Sequence, residues 1–102
     1  MEHIEEFTSE ELQELLGKEN SVVIIDVRED EEVAQGMIEN ARHIPLQNIP
    51  TSTQELVKGK HYVLVCRSGA RSMRAAAYLD ERGYKVSNLA GGMLEWDGEV
   101  VL

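Results

Sequence analysis

A short apolar run that leads directly into a helix-forming segment constrains the fold of this chain more than any other feature. Residues 62–65 read Tyr-Val-Leu-Val, and such a continuous run is typical of a strand that is buried on both faces. From Ser72 onward, small and apolar residues recur at helical spacing, and Gly83 suits the position just past a helix end. Residues 66–71 must therefore turn the chain from a buried strand straight into a helix.

Other apolar runs predict further strands. The predicted strands cover residues 4–7 at a sheet edge, 22–25, 41–44 in the sheet interior, 62–65 and 86–89. Because helical patterns lie between these runs, the chain is expected to form a parallel or mostly parallel sheet with helices on both faces. With 102 residues and no linker or repeat, the whole chain, residues 1–102, is expected to be one α/β domain.

The helical patterns differ in length. Thr8 and Glu11 form a predicted capping box at the start of one helix, which would end at Gly17 or Asn20. Shorter helical segments are expected at residues 29–35 and 93–96, whereas residues 46–57 are irregular or form one short helix.

Charge and cysteine content exclude several classes of function. The net charge of −9 argues against nucleic acid or an anionic membrane as the main partner. Residues 1–32 hold 12 of the 19 acids, whereas residues 56–79 hold no acid and five Lys or Arg, around the only cysteine, Cys66. One cysteine excludes an internal disulfide, and neither a signal peptide nor a membrane span is apparent, so a cytoplasmic protein is expected.

The loop after residues 62–65 has the properties of an anion-binding cradle. At a helix N-terminus the first backbone N–H groups lack partners and the helix dipole favours negative charge. Small residues at Ser68, Gly69 and Ala70 allow several N–H groups to converge on one point. The Cys66 thiol at that point is predicted to have a depressed pKa, because the N–H dipoles and nearby arginines stabilise its thiolate. Those arginines are Arg67, Arg71 and Arg74.

Several other polar residues are expected to serve the structure. Arg28 and Glu32 stand four residues apart and are predicted to pair, while Asp26 accepts hydrogen bonds from neighbouring loops at the sheet edge that also carries Cys66. Arg74 is predicted to pair with an acid elsewhere. Ser72 either donates a hydrogen bond to Cys66 or caps the helix. Packing or surface roles are expected for His3, His43, His61 and Trp96.

Three motifs in order resemble the rhodanese-like sulfurtransferases. The first is Ile-Asp-Val-Arg at residues 25–28, followed by Glu32 and Gly36. The second is Cys-Arg-Ser-Gly-Ala-Arg-Ser at residues 66–72, which resembles the active loop of the family. The third is Leu-Ala-Gly-Gly-Met at residues 89–93 with Trp96 after it. The resemblance covers nearly the whole chain.

This resemblance implies a five-stranded, mainly parallel sheet and a covalent reaction in two steps. Cys66 would take the outer sulfur of a small anionic donor such as thiosulfate, and hold it as a persulfide. A thiol acceptor, such as glutathione, thioredoxin or another protein thiol, or cyanide would then remove that sulfur, and no metal or organic cofactor is required. The persulfide would lie among the N–H groups of the predicted substrate-binding residues Arg67, Ser68, Gly69, Ala70, Arg71 and Ser72.

Two alternatives remain open at the level of sequence. A cysteine-dependent phosphatase or arsenate reductase uses the same thiolate and cradle, but its arginine follows the cysteine after five residues, whereas Arg71 follows Cys66 after four. The shorter loop favours a single sulfur atom over a tetrahedral oxyanion. The second alternative is a dedicated sulfur carrier or binding module that serves a partner enzyme.

Overall fold

Five short strands form one sheet, in which every strand runs parallel to its neighbours. In the computed structural model, which describes residues 3–18 and 22–102, the strand order is β1-β5-β4-β2-β3. The strands are β1 (Glu5–Phe7), β2 (Val23–Asp26), β3 (Arg42–His43), β4 (His61–Val65) and β5 (Lys85–Leu89). This sheet confirms the predicted five-stranded α/β architecture.

Helices cover both faces of the sheet, as predicted. The helices are α1 (Ser9–Leu16), α2 (Asp30–Val33), α3 (Ile49–Ser52), α4 (Ala70–Glu81) and α5 (Gly92–Glu95). On one face, Ile49 of α3 and Leu79 of α4 pack on the strands, and on the other Leu12 of α1 does so with Met93 and Trp96. Among the described residues, no helix is both long enough and apolar enough to cross a membrane.

The first helix begins as its sequence predicts. The Thr8 hydroxyl accepts a hydrogen bond from the Glu11 backbone N–H at 3.1 Å, and the Glu11 carboxylate accepts one from the Thr8 N–H at 2.9 Å. Gly17 follows the last helical residue. The alternative end at Asn20 lies outside the described residues.

One strand differs from its prediction, whereas the predicted short helix between residues 46 and 57 is present. The run at residues 41–44 is an edge strand of two residues and lies outside the sheet interior, because the polar side chains of Arg42 and His43 interrupt it and only β2 pairs with it among the described strands. Residues 46–57 contain α3 between two 3₁₀ turns, Leu46–Asn48 and Thr53–Glu55. Pro50 fits there because the first turn of a helix needs no N–H from it.

Candidate active site

The ends of β2 and β4 meet at one edge of the sheet. Asp26 pairs in register with Val65, and the Val27 N–H donates to the Val65 carbonyl at 2.8 Å. Cys66 follows β4 directly and is fully buried. Asp26 and Cys66 therefore lie at the same carboxyl edge, where ligands of parallel sheets bind.

The turn from β4 into α4 is shorter than predicted. Helix α4 begins at Ala70, so only residues 66–69 form the loop, and Ser72 lies in the first helical turn and does not cap it. Gly69 occupies the cap position with φ of +102°, which disfavours any other residue. A Cβ atom there would lie 3.3 Å from the Gly91 nitrogen. The left-handed glycine lets the helix begin two residues before the apolar spacing indicates.

The Cys66 sulfur is held by the start of α4. The Gly69 backbone N–H donates to Sγ at 3.0 Å, and the buried Ser72 hydroxyl donates at 3.2 Å. Burial raises the pKa of the Cys66 thiol, but the Ser72 hydroxyl and the backbone N–H groups of Ser72, Gly69 and Ser68 outweigh it and lower the pKa below its ordinary value. The fold thus favours the thiolate, the nucleophilic form of cysteine.

The N-terminus of α5 also contacts the loop, through backbone hydrogen bonds. The Met93 N–H donates to the Cys66 carbonyl at 2.8 Å, and the Leu94 N–H donates to the Arg67 carbonyl at 3.0 Å. Gly92 has φ of +58°, and a Cβ atom there would clash with the Cys66 carbonyl oxygen. The glycine pair at residues 91–92 therefore brings α5 against the loop backbone. The sequence places these glycines in the third motif but does not predict this contact.

Asn88 is a further residue of the site that the sequence analysis missed. Its buried side-chain amide donates to the Gly69 carbonyl at 3.1 Å and to the Glu6 carboxylate at 3.0 Å. Because both neighbours are acceptors, the amide nitrogen must face them. Asn88 therefore ties the turn at Gly69 to the edge strand β1. The available signal was an amide next to Ser87 in a short predicted strand, since buried polar groups need a specific partner.

Arg71, one of the predicted substrate-binding residues, pairs with an acid on α2. Its guanidinium makes two hydrogen bonds to the Glu32 carboxylate, at 2.8 and 2.9 Å. These bonds lower the pKa of Glu32 to about 2 from 4.5. The predicted pair of Arg28 with Glu32 is wrong, because Arg28 lies before α2 and its guanidinium binds the buried Asp26 carboxylate at 2.8 to 3.1 Å. Arg28 reaches only the backbone carbonyl of Glu32, at 3.4 Å.

The outer surface of the loop is exposed. Arg67, Ser68 and Ala70 are exposed, and the Arg67 guanidinium has no hydrogen bond or ion pair among the described residues. Arg74 is also exposed and forms no ion pair in the described part of the chain, so the predicted pairing is not found there. Arg67 is thus a cation without a partner in the described part of the chain, and it directly follows the buried Cys66 in sequence.

Removal of the Ser72 hydroxyl is expected to shift the pH dependence of Cys66. The rate of alkylation by iodoacetamide follows the thiolate fraction, which rises as the pH passes the pKa. Because the pKa is lowered, we expect the midpoint for the wild-type protein to lie below that of free cysteine. The Ser72→Ala variant loses one donor to Sγ, so its midpoint is expected to rise by about one pH unit. The matched control is Ser52→Ala on α3, and an unchanged midpoint in Ser72→Ala would contradict the role given to the hydroxyl.

Known proteins resemble this chain over nearly its whole length. The family model described as Rhodanese-like domain matches residues 8–99. The chain is 49% identical to "Putative sulfurtransferase YtwF" of Bacillus subtilis (strain 168), over 94% of this chain and 93% of that protein. It is 43% identical to "Sulfurtransferase" of Allochromatium vinosum, over 91% and 88% of the two chains. The crystal structure of a rhodanese-like domain protein from Staphylococcus aureus superposes with a TM-score of 0.92 at 37% identity, over 97% and 98% of the two chains. The chain belongs to the rhodanese-like domain family.

Proposed function

We propose that the protein is a sulfurtransferase that carries sulfane sulfur on Cys66. In the first step the Cys66 thiolate attacks the outer sulfur of thiosulfate or a related donor. A bond forms between the cysteine sulfur and that atom, while the bond to the sulfonate sulfur breaks and sulfite leaves with the electron pair. The product is an anionic Cys66 persulfide.

In the second step a thiolate or cyanide attacks the terminal sulfur of the persulfide. The new bond forms on the acceptor, the bond to Cys66 breaks, and the cysteine sulfur keeps the electron pair as a thiolate. The atoms and charges therefore balance without a metal or redox cofactor. Glutathione, thioredoxin or another protein thiol would serve as acceptor.

One observation carries this proposal: the Cys66 sulfur lies at the N-terminus of α4 with donors on two sides. The Gly69 N–H and the Ser72 hydroxyl both reach Sγ. Donors placed this way stabilise the attacking thiolate, and a terminal sulfur added to it would remain near the same helix start. In this scheme residues 67–72, in the loop and the first turn of α4, surround the transferred atom, and Cys66 alone forms covalent bonds.

Phosphate hydrolysis is less well supported by the same geometry. A phosphatase of this type needs an arginine that is free to bind the oxygens of the phosphoryl group. The candidate here, Arg71, has both terminal nitrogens bound to Glu32. The loop before α4 is also short, because Ala70 is already helical. Both features favour a single sulfur atom as the bound group.

Intact-mass analysis tests the proposal directly. After incubation with thiosulfate, we expect the protein to gain the mass of one sulfur atom, and to lose it again when cyanide or a thiol is added. Several donors tested in parallel would rank their reactivity. Steady release of phosphate from an aryl phosphate, without any added sulfur after thiosulfate, would overturn the proposal in favour of a phosphatase.

Arg67 is expected to recruit the anionic donor. It is exposed, lies next to Cys66 and has no partner among the described residues. The Arg67→Ala variant should therefore raise the KM for thiosulfate about fivefold to tenfold and lower kcat less. Steady-state kinetics with Arg74→Ala as the control would separate this effect from a general loss of positive charge. An unchanged KM would remove Arg67 from the donor site.

A further inference from the structure

An apolar groove lies beside the loop that carries Cys66. It has a volume of about 480 Å³, and its walls include Arg67, Leu94 and Val100. We call it the Leu94 groove. Leu94 is 61% exposed and Val100 is 47% exposed, although the removal of apolar side chains from water is favourable. The groove is therefore an apolar surface next to the backbone of the reactive residue.

The backbone around the Leu94 groove is fixed. The Leu94 backbone N–H donates a hydrogen bond to the Arg67 carbonyl. Val101, which follows Val100, exchanges two backbone hydrogen bonds with Met37, at 2.8 and 2.9 Å. Single exposed apolar residues are ordinary on protein surfaces. Here two of them line one opening together with Arg67, a residue of the loop that carries the thiol. Such a pre-organised apolar surface suits binding, because the groove loses little conformational entropy when a partner binds to it.

The charges at the Leu94 groove also indicate the kind of partner. Two charged residues of its lining are already neutralised, since Arg28 binds Asp26 and Glu32 binds Arg71. Arg67 and the exposed Glu31 line the same groove, and neither forms an ion pair among the described residues. A complementary ligand would thus present apolar groups between a negative and a positive charge.

Resting on the proposed function, we propose that the Leu94 groove docks a protein acceptor whose cysteine lies on an apolar segment with a carboxylate on one side and a basic residue on the other. The carboxylate pairs with Arg67 after the anionic donor has left, and the apolar side chains cover Leu94 and Val100. The acceptor thiolate then bonds to the terminal sulfur while Cys66 keeps the electron pair of the broken bond. Glutathione and cyanide have no apolar side chains to fill the groove, so the groove selects a protein thiol over small acceptors.

Sulfur transfer to matched peptides tests the proposal. The first probe is a short peptide with cysteine between two leucines, glutamate at one end and lysine at the other, and the second replaces both leucines with serine. From the loaded wild-type protein, we expect the leucine peptide to take sulfur about tenfold faster than the serine peptide. The Leu94→Asn and Val100→Thr double variant should lose this preference, whereas loading by thiosulfate and transfer to glutathione and cyanide should remain within about twofold.

The control variant is Val57→Thr. Val57 is 54% exposed, but it precedes the amino end of β4, whereas Cys66 follows the carboxyl end of the same strand. It should keep the full preference for the leucine peptide. Equal rates for the two peptides with the wild-type protein would overturn the role of the groove, as would a double variant that slows every acceptor alike.

Binding of a peptide that cannot accept sulfur shows whether the docking proposal or the proposed sulfurtransferase function is wrong. A version of the leucine peptide with serine in place of its cysteine should bind the wild-type protein, and bind the double variant about tenfold more weakly, as read by fluorescence anisotropy. Selective binding by a protein that never loads sulfur would overturn the proposed function alone. Normal loading without selective binding would overturn the docking surface alone.

Discussion

The Cys66→Ser variant is expected to fold normally and to form no persulfide. Serine retains a polar side chain that the Gly69 N–H can reach, so the free energy of unfolding should change by about 1 kcal/mol or less. The variant has no thiol to act as the nucleophile, and the covalent step is therefore lost completely. Urea unfolding and intact-mass analysis after thiosulfate check the two parts of this expectation.

A neighbouring serine provides the matched control for this variant. Ser68→Ala changes an exposed loop side chain and leaves the thiol in place, so it should still load sulfur. If Cys66→Ser kept the thiosulfate:cyanide sulfurtransferase activity of the wild-type protein, the mechanism through a Cys66 persulfide would be wrong.

The second large effect is expected from Gly92→Ala, at a residue that packs against the backbone of the loop. The left-handed backbone conformation alone costs a residue other than glycine about 1–2 kcal/mol. The added Cβ would also clash with the Cys66 carbonyl oxygen and lie 2.6 Å from the Arg67 backbone. We expect the free energy of unfolding to fall by about 2–4 kcal/mol. Because the loop must move away from α5, the rate of persulfide formation should fall at least about tenfold.

Gly59→Ala is the control for this prediction. No atom lies within 4 Å of a Cβ atom built at Gly59, and its φ is not in the left-handed region. Its unfolding free energy should therefore stay within about 1 kcal/mol of the wild-type value. Similar urea midpoints and loading rates for the two alanine variants would show that the contact between α5 and the loop is dispensable.

The parts of the fold that were predictable are those encoded by local periodicity. Tyr62–Val65 is apolar at every position, and only a strand covered on both faces can bury such a run. The helical spacing after Ser72 likewise predicts α4. Its true start at Ala70 was missed because Gly69 supplies the turn through a positive φ, and spacing of apolar side chains carries no information on that angle.

The errors within the site come from contacts that are distant in sequence. Pairing Arg28 with Glu32 assumed a helical repeat of four residues, but α2 starts after Arg28 and offers no such repeat. The actual partner of Glu32 is Arg71, 39 residues away. Only the parallel pairing of β2 with β4 brings α2 and α4 to the same edge, and no local pattern predicts which side chains then meet.

Asn88 was missed for the same reason. Within its own strand it is only a polar interruption, and its role depends on the positions of Gly69 and Glu6 after folding. A polar residue in a predicted strand is therefore informative even when its partner is unknown, because a buried polar group without any partner would cost about 1–3 kcal/mol.

The hydrogen bonds of Asn88 also connect the surroundings of the cysteine to distant parts of the chain. Its amide joins Glu6, 82 residues away in sequence, to Gly69, 19 residues away, and Gly69 in turn contacts the sulfur. The acidity of the thiol therefore depends on strands from both ends of the chain. A newly synthesised or partly unfolded chain therefore carries an ordinary cysteine, and the thiol acquires its lowered pKa only in the completed domain.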